Sequence, residues 1–217
     1  MTKTILAALC GATILAGSGL AGAGWAQDSR EVEIGDFDRI EVRGGVRVEI
    51  VRGDMPGVRL EGDASDFDDV EVSVQGDLLR VQQDSGWFNR RQLDVVVHVT
   101  MSEFESLEFS RGVSARASGI EADNLDIDIN TGAAVRLSGT CGHADIGMST
   151  GVSLNAQDLV CETIDISAST GADARVHATS RIDASASMGA AIRVFGSPGD
   201  RDVSSSMGGE VSFDNGR

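Results

Sequence analysis

The feature that most constrains this chain is a spaced glycine. Gly112, Gly132, Gly151, Gly171, Gly189 and Gly208 follow one another at intervals of 20, 19, 20, 18 and 19 residues. Segments 125–137, 144–156, 164–176, 182–194 and 201–213 align on these glycines without gaps, and 106–117 aligns with one weak edge. A period this short and regular predicts a solenoid, in which no unit buries its apolar side alone and stacked units bury it together.

The pattern around each glycine fixes the unit. Five and three residues before it stand Ile127 and Ile129, Ile146 and Met148, Ile166 and Ala168, Ala184 and Ala186. Three and five residues after it stand Val135 and Leu137, Leu154 and Ala156, Ala174 and Val176, Ile192 and Val194. Polar residues lie between, which is the period of a strand with one face inward. Glycine tolerates positive φ, so it suits the sharp corner where two strands meet. The Ser or Asn two residues earlier suits hydrogen bonding to backbone there. The expected fold is all-β: a right-handed parallel β-helix with coils of 18–20 residues, right-handedness being the rule for parallel connections. Six coils would span about 29 Å. Small residues such as Ala184, Ala186 and Ser205 predict a thinner, less stable C-terminal end.

The remaining chain divides on the same reasoning. Residues 1–26 read as a signal peptide: Lys3, an apolar run over 5–20, then small residues around Gly24, Trp25 and Ala26, with cleavage after Ala23 as the alternative. Residues 27–217 read as a single β-solenoid domain, with 105–213 as regular repeats and 27–104 as wider first coils and a cap. Gly45, flanked by Ile40, Val42, Val48 and Ile50, echoes a corner within that first part. A separate β-sandwich over 31–100 is the alternative.

Lys3 is the single lysine among 18 basic residues, against 34 acids, for a net charge of −16. That balance argues against nucleic acid and anionic lipid as partners. After the signal no stretch is long and apolar enough to span a bilayer. Acids recur six residues before each corner (Asp126, Asp145, Asp165, Asp183, Asp202), and arginines four residues after it (Arg116, Arg136, Arg175, Arg193), with Asn155 in the gap. Stacked like charges repel. The Asp column reads either as a solvated face or as a cation ladder.

Cys141 and Cys161 occupy equivalent turns of adjacent coils, which brings their Cα atoms to about 5 Å and predicts a disulfide in an oxidising compartment. Metal ligation by the two cysteines with His143 is the alternative. No cofactor motif is present. His98, His143 and His177 are scattered and form no catalytic constellation with a nucleophile. Asp and Arg columns on outer faces also suit a lyase-like polysaccharide enzyme, but coils this short leave little room for a cleft. The segment 85–91 joins Trp87, Phe88, Arg90 and Arg91 between two strand-like runs. Such a group stacks on sugars or anchors a partner, or it covers the open end of the core.

The passages FDRIEVRGGVRVEIVRGD (37–54) and VVVHVTMSEFESLEFSRG (95–112), with the Thr–Gly and Met–Gly corners at Gly132, Gly151, Gly171, Gly189 and Gly208, resemble the putative auto-transporter adhesin, head GIN domain family over 32–213. The resemblance implies a secreted or surface bacterial β-helix with a role in adhesion. The literal Gly-Ile-Asn tripeptide is missing, and no catalytic residues carry over. The expected function is therefore that of a secreted, non-enzymatic adhesin or envelope-binding protein, in the periplasm or at the cell surface. Its partner would be a surface protein or a glycan. A polysaccharide-active enzyme and a purely structural envelope protein are the alternatives.

Overall fold

The computed structural model describes residues 28–83 and 93–214. In chain order the strands are β1 (Asp28–Val32), β2 (Arg39–Arg43), β3 (Arg47–Arg52), β4 (Gly57–Gly62), β5 (Val70–Gln75), β6 (Leu78–Gln83), β7 (Val95–Met101) and β8 (Ser106–Ser110). There follow β9 (Ser114–Asn130), β10 (Ala134–Ser149), β11 (Ser153–Ala168), β12 (Asp173–Ala186), β13 (Ala191–Phe195), β14 (Asp200–Ser205) and β15 (Glu210–Asp214). They form stacked parallel coils of a β-solenoid of about five turns.

Each coil has one sharp corner. There the glycine adopts positive φ (67–85° from Gly112 to Gly208), and so does the residue before it: Arg111, Thr131, Thr150, Thr170, Met188 and Met207 lie at φ 47–65°. Two successive left-handed residues reverse the chain as a type I′ turn does. A β-branched residue in that region is strained, and the compensation is visible. Gly112 donates its N–H to the Thr131 carbonyl at 3.0 Å, Gly132 to Thr150 at 3.0 Å, Gly151 to Thr170 at 3.0 Å and Gly171 to Met188 at 3.1 Å. The strained carbonyl of one corner is thus the acceptor for the corner beneath it. At the Gly45 corner the positive φ belongs to Gly44 instead.

Between corners β9 to β12 do not break. Each passes from the face after one corner to the face before the next as a single strand of 14–17 residues. The bend is taken up by register shifts, such as that between Leu137 and Gly139. Gly139 sits at φ 140°, where a Cβ would lie 2.1 Å from the Ile120 carbonyl oxygen.

Inward residues alternate with outward ones along both faces, and one hydrophobic cluster runs from Phe37 to Val194. It is built of Ile, Leu and Val in the middle coils and narrows to Ala184, Ala186 and Ala190. In the last coil every residue of β14 is exposed, and Val203 is 42% accessible. Arg201 lies 4.4 Å over the Phe213 ring there.

The N-terminal layers do not follow chain order. β2 pairs with β6 on one side and β8 on the other, and β3 pairs with β7 and β9, all in parallel. The coil made of β2 and β3 therefore lies between β6/β7 and β8/β9, although β6 and β7 come later in the chain. Outside β6 and β7 the direction reverses: β5 is antiparallel to β6, β4 to β7 and β1 to β4. A 3₁₀ turn (Ala64–Asp69) joins β4 to β5. Asp63 caps it by accepting from the Ser65 N–H at 2.9 Å, and its Phe67 is buried.

Candidate binding surface

A solenoid that keeps its register turns sequence columns into straight rows on its surface. On the face after the corner, Glu49 pairs with Arg116, Arg116 with Arg136, Arg136 with Asn155, Asn155 with Arg175, and Arg175 with Arg193. On the face before the corner, Ser106 leads into Asp126, Asp145, Asp165, Asp183 and Asp202. Successive members stand about 4.8 Å apart, the spacing of neighbouring strands. The rows beside these columns are mostly small but carry acids of their own: Ser114, Ala134, Ser153, Asp173, Ala191 and Glu210 next to the arginines, Asp128, Gly147, Ser167, Ser185 and Ser204 next to the aspartates. The arginine face thus carries one basic row with scattered acids beside it, and the other face carries its Asp row beside a second acidic row at the N-terminal end and Arg181 and Asp200 at the C-terminal end.

The acidic face is densest at its N-terminal end. Glu41 is buried, and its carboxylate is held by Arg80 at 2.7 Å on one oxygen and by Arg43 on the other. Glu108 and Asp128 stack on it in the same row. Burial raises the Glu108 carboxyl above the usual range, reinforced by Glu41 and Asp128 and opposed by Arg43 and Arg39. Burial likewise raises Asp128, reinforced by Asp126 and Asp145. At these two positions stacked carboxylates add to burial in making ionisation harder.

A shallow hollow lies on the third side of the coils, between residues 102–105 and the stretch around Cys141. Glu103, Glu121, Asp123, Glu162 and His143 line it, and Arg52 pairs with Glu121 across it. The cysteines next to it are joined: Cys141 and Cys161 form a disulfide with a Cα–Cα distance of 4.4 Å, in register across β10 and β11. Their sulfurs are bonded to each other, which removes the thiolates that the metal alternative needs. His143 Nδ1 lies 2.8 Å from Thr163 Oγ1. Among the described residues no three His, Cys, Asp or Glu side chains group as metal donors.

The other histidines sit apart. His98 lies 3.5 Å from both Glu49 and Glu61, and His177 lies 3.2 Å from the Gln157 carbonyl. Trp87, Phe88, Arg90 and Arg91 lie outside the described residues. The strands that flank them, β6 and β7, occupy the same two faces as the strands either side of each glycine corner. The buried Glu41 with its two arginines, and the left-handed Thr and Met corner residues, went unnoticed in the sequence. Only the stacking of Arg80 on Glu41 hints at the first, and it appears once the layer order is known.

Among the described residues no helix is long and apolar enough to cross a membrane. No curated protein matches the chain. Solved structures do. A putative adhesin from Bacteroides fragilis NCTC 9343 superposes with a TM-score of 0.71 at 15% identity, covering 87% of this chain and 97% of its own. A putative lipid binding protein from Parabacteroides distasonis ATCC 8503 has a TM-score of 0.46 at 16% identity, over 87% and 97%. A putative adhesin from Parabacteroides merdae ATCC 43184 has 0.45 at 15% identity, over 87% and 96%. The first of these shares the fold. The family described as "Putative auto-transporter adhesin, head GIN domain" matches residues 36–198, three quarters of the chain. On that match, and with the coils and corners that carry it, the chain belongs to the putative auto-transporter adhesin, head GIN domain family.

Proposed function

We propose that this chain is an exported, non-enzymatic recognition module, an adhesin in the plain sense, that meets a surface protein or a glycan through its strand faces. The observation that carries this reading is the register from β9 to β12, which is kept on the two faces either side of the corner and shifts only at the bends between them, so that each face carries straight charged rows. Repetitive faces of this kind suit repetitive or extended partners, as in other solenoids. Family membership supports the same reading. The segment 85–91, with Trp87, Phe88, Arg90 and Arg91, supplies the aromatic and guanidinium groups of a second contact. Residues 1–26 direct export, and the disulfide fits an oxidising destination.

The test is binding of the chain from residue 27 onward to a glycan array and to whole bacterial cells, with Trp87→Ala measured beside it. Specific binding that weakens at least tenfold in the variant, with unchanged melting, supports recognition through that segment. Turnover of an acidic glycan, lost on replacing Asp or Arg residues of the columns, would move the chain to the lyase-like enzymes. Neither binding nor turnover would leave a structural envelope role.

A further inference from the structure

The two charged columns raise a question that the fold alone does not answer. Each places like charges over one another at strand spacing, an arrangement that costs stability. Opposite charges such as Glu49 and Asp173 stand nearby, but few close on a column as ion pairs. Among the described residues Arg175 lies 4.0 Å from Asp173, and no ion pair joins Arg116, Arg136 or Arg193 to an acid. None joins Asp126, Asp145, Asp165, Asp183 or Asp202 to a base. Elsewhere the chain pairs its arginines readily, as Arg30 with Asp68 at 3.0 Å and Arg47 with Asp94 at 2.7 Å.

The columns have opposite sign and the same rise, because both are made by the same coils. A row of arginines and a row of aspartates at the same repeat match in spacing, with Asn155 the one gap in the arginine row. Their surroundings help as well: beside Arg116 and Arg136 stand Ser114 and Ala134, and beside Asp145 and Asp165 stand Gly147 and Ser167, so the middle coils of the two faces can approach closely.

We propose that the arginine ladder of one molecule docks on the aspartate ladder of a second copy, side by side. One contact then answers both unpaired columns. The guanidinium fork suits it, since it pairs two-pronged with a carboxylate where an ammonium does not. The contact is heterologous, so a docked pair still offers one free ladder of each sign, and the association propagates as a lateral array. The net charge of −16 opposes approach at long range. At physiological ionic strength that repulsion is screened beyond about 8 Å, while ladder pairs in contact are not.

The experiment is sedimentation of residues 27–217 over a concentration series at physiological salt. The wild-type chain is compared with Arg116→Glu/Arg136→Glu, with Asp145→Arg/Asp165→Arg, and with a mixture of the two variants. Circular dichroism and melting establish that each is folded. Wild type is expected to self-associate, each variant alone to do so about tenfold more weakly or worse, and the mixture to regain association. Regain on mixing is diagnostic, because a change in net charge alone does not produce it. A wild-type chain that stays monomeric throughout overturns the proposal, as does association that persists in both variants. Retention of an anionic polysaccharide by a monomeric wild-type chain, lost in Arg116→Glu/Arg136→Glu, also overturns it and assigns the arginine face to a glycan.

Discussion

The Cys141–Cys161 disulfide gives a stability prediction that follows from its place in the coil. The two residues are 20 apart in sequence and paired in register across β10 and β11, so the bond closes a loop of one whole coil. In the chain-entropy treatment a closed loop of about 20 residues removes about 11 cal/mol/K from the unfolded ensemble, or about 3 kcal/mol at 25 °C. Native stacking already sets the two backbones at strand spacing, so the bond constrains the unfolded chain much more than the folded one. For a domain of this length 3 kcal/mol corresponds to a fall of about 6–12 °C in Tm. The measurement is urea denaturation of the oxidised chain, of the same chain unfolded and refolded in reductant, and of Cys141→Ala/Cys161→Ala. The reduced chain isolates the cross-link, and the alanine pair adds the loss of two buried sulfurs. A difference below about 1 kcal/mol between oxidised and reduced chains would refute the reasoning, because it requires this coil to stay closed after unfolding.

Three further results are expected. Gly132→Ala meets open space at φ 72° and should cost about 1–2 kcal/mol, whereas Gly139→Ala drives a Cβ against the Ile120 carbonyl and should cost more than twice as much in the same urea titration. Asp128→Asn should stabilise the chain at neutral pH. Burial and then Asp126 and Asp145 raise the Asp128 carboxyl in the folded state, so the native chain holds that proton more tightly and loses stability as pH climbs from the ordinary value of 3.8 through the raised one. Melting curves against pH should show the advantage of the variant fading as pH falls below that window. Deleting residues 164–181 removes one coil in register, because Ile182 stacks on Ile164, and both cysteines remain. The shortened chain should keep its β circular dichroism with a lower Tm, and a collapse of the spectrum would count against independent stacking.

Most of the regular part was legible because a solenoid writes its geometry in one dimension. The alternation around Gly132 or Gly151 fixes which residues face inward, the spacing fixes which residues stack, and Cys141 falls over Cys161 for the same reason. What alternation cannot fix is the identity of a neighbour when layers leave chain order. Ile40 and Val42 read as inward residues whether β2 lies beside β6, β8 or both, so the insertion of β2 and β3 between later strands leaves no trace in their pattern. The corners were half legible. Glycine announces positive φ, but Thr131, Thr150 and Thr170 carry none of the preference for the left-handed region that Asn would show, and only the stacked carbonyls explain them. On the candidate surface the charged columns were readable as columns. Their lack of partners inside the chain required coordinates.

The inserted coil has a mechanical consequence. Load applied through the two ends of the chain meets two different arrangements. At the C-terminal end β15 and β14 each hold a single neighbour, so tension there peels one strand row at a time and the structure lengthens in small steps. At the N-terminal end, beyond β1, the chain enters β2 and β3, which are clamped on both sides by β6 and β7 and by β8 and β9. Tension on that end must shear two ladders at once and cannot unzip them in sequence. The molecule is therefore built with a soft end that yields and a locked end that holds, and the direction of load decides which one responds.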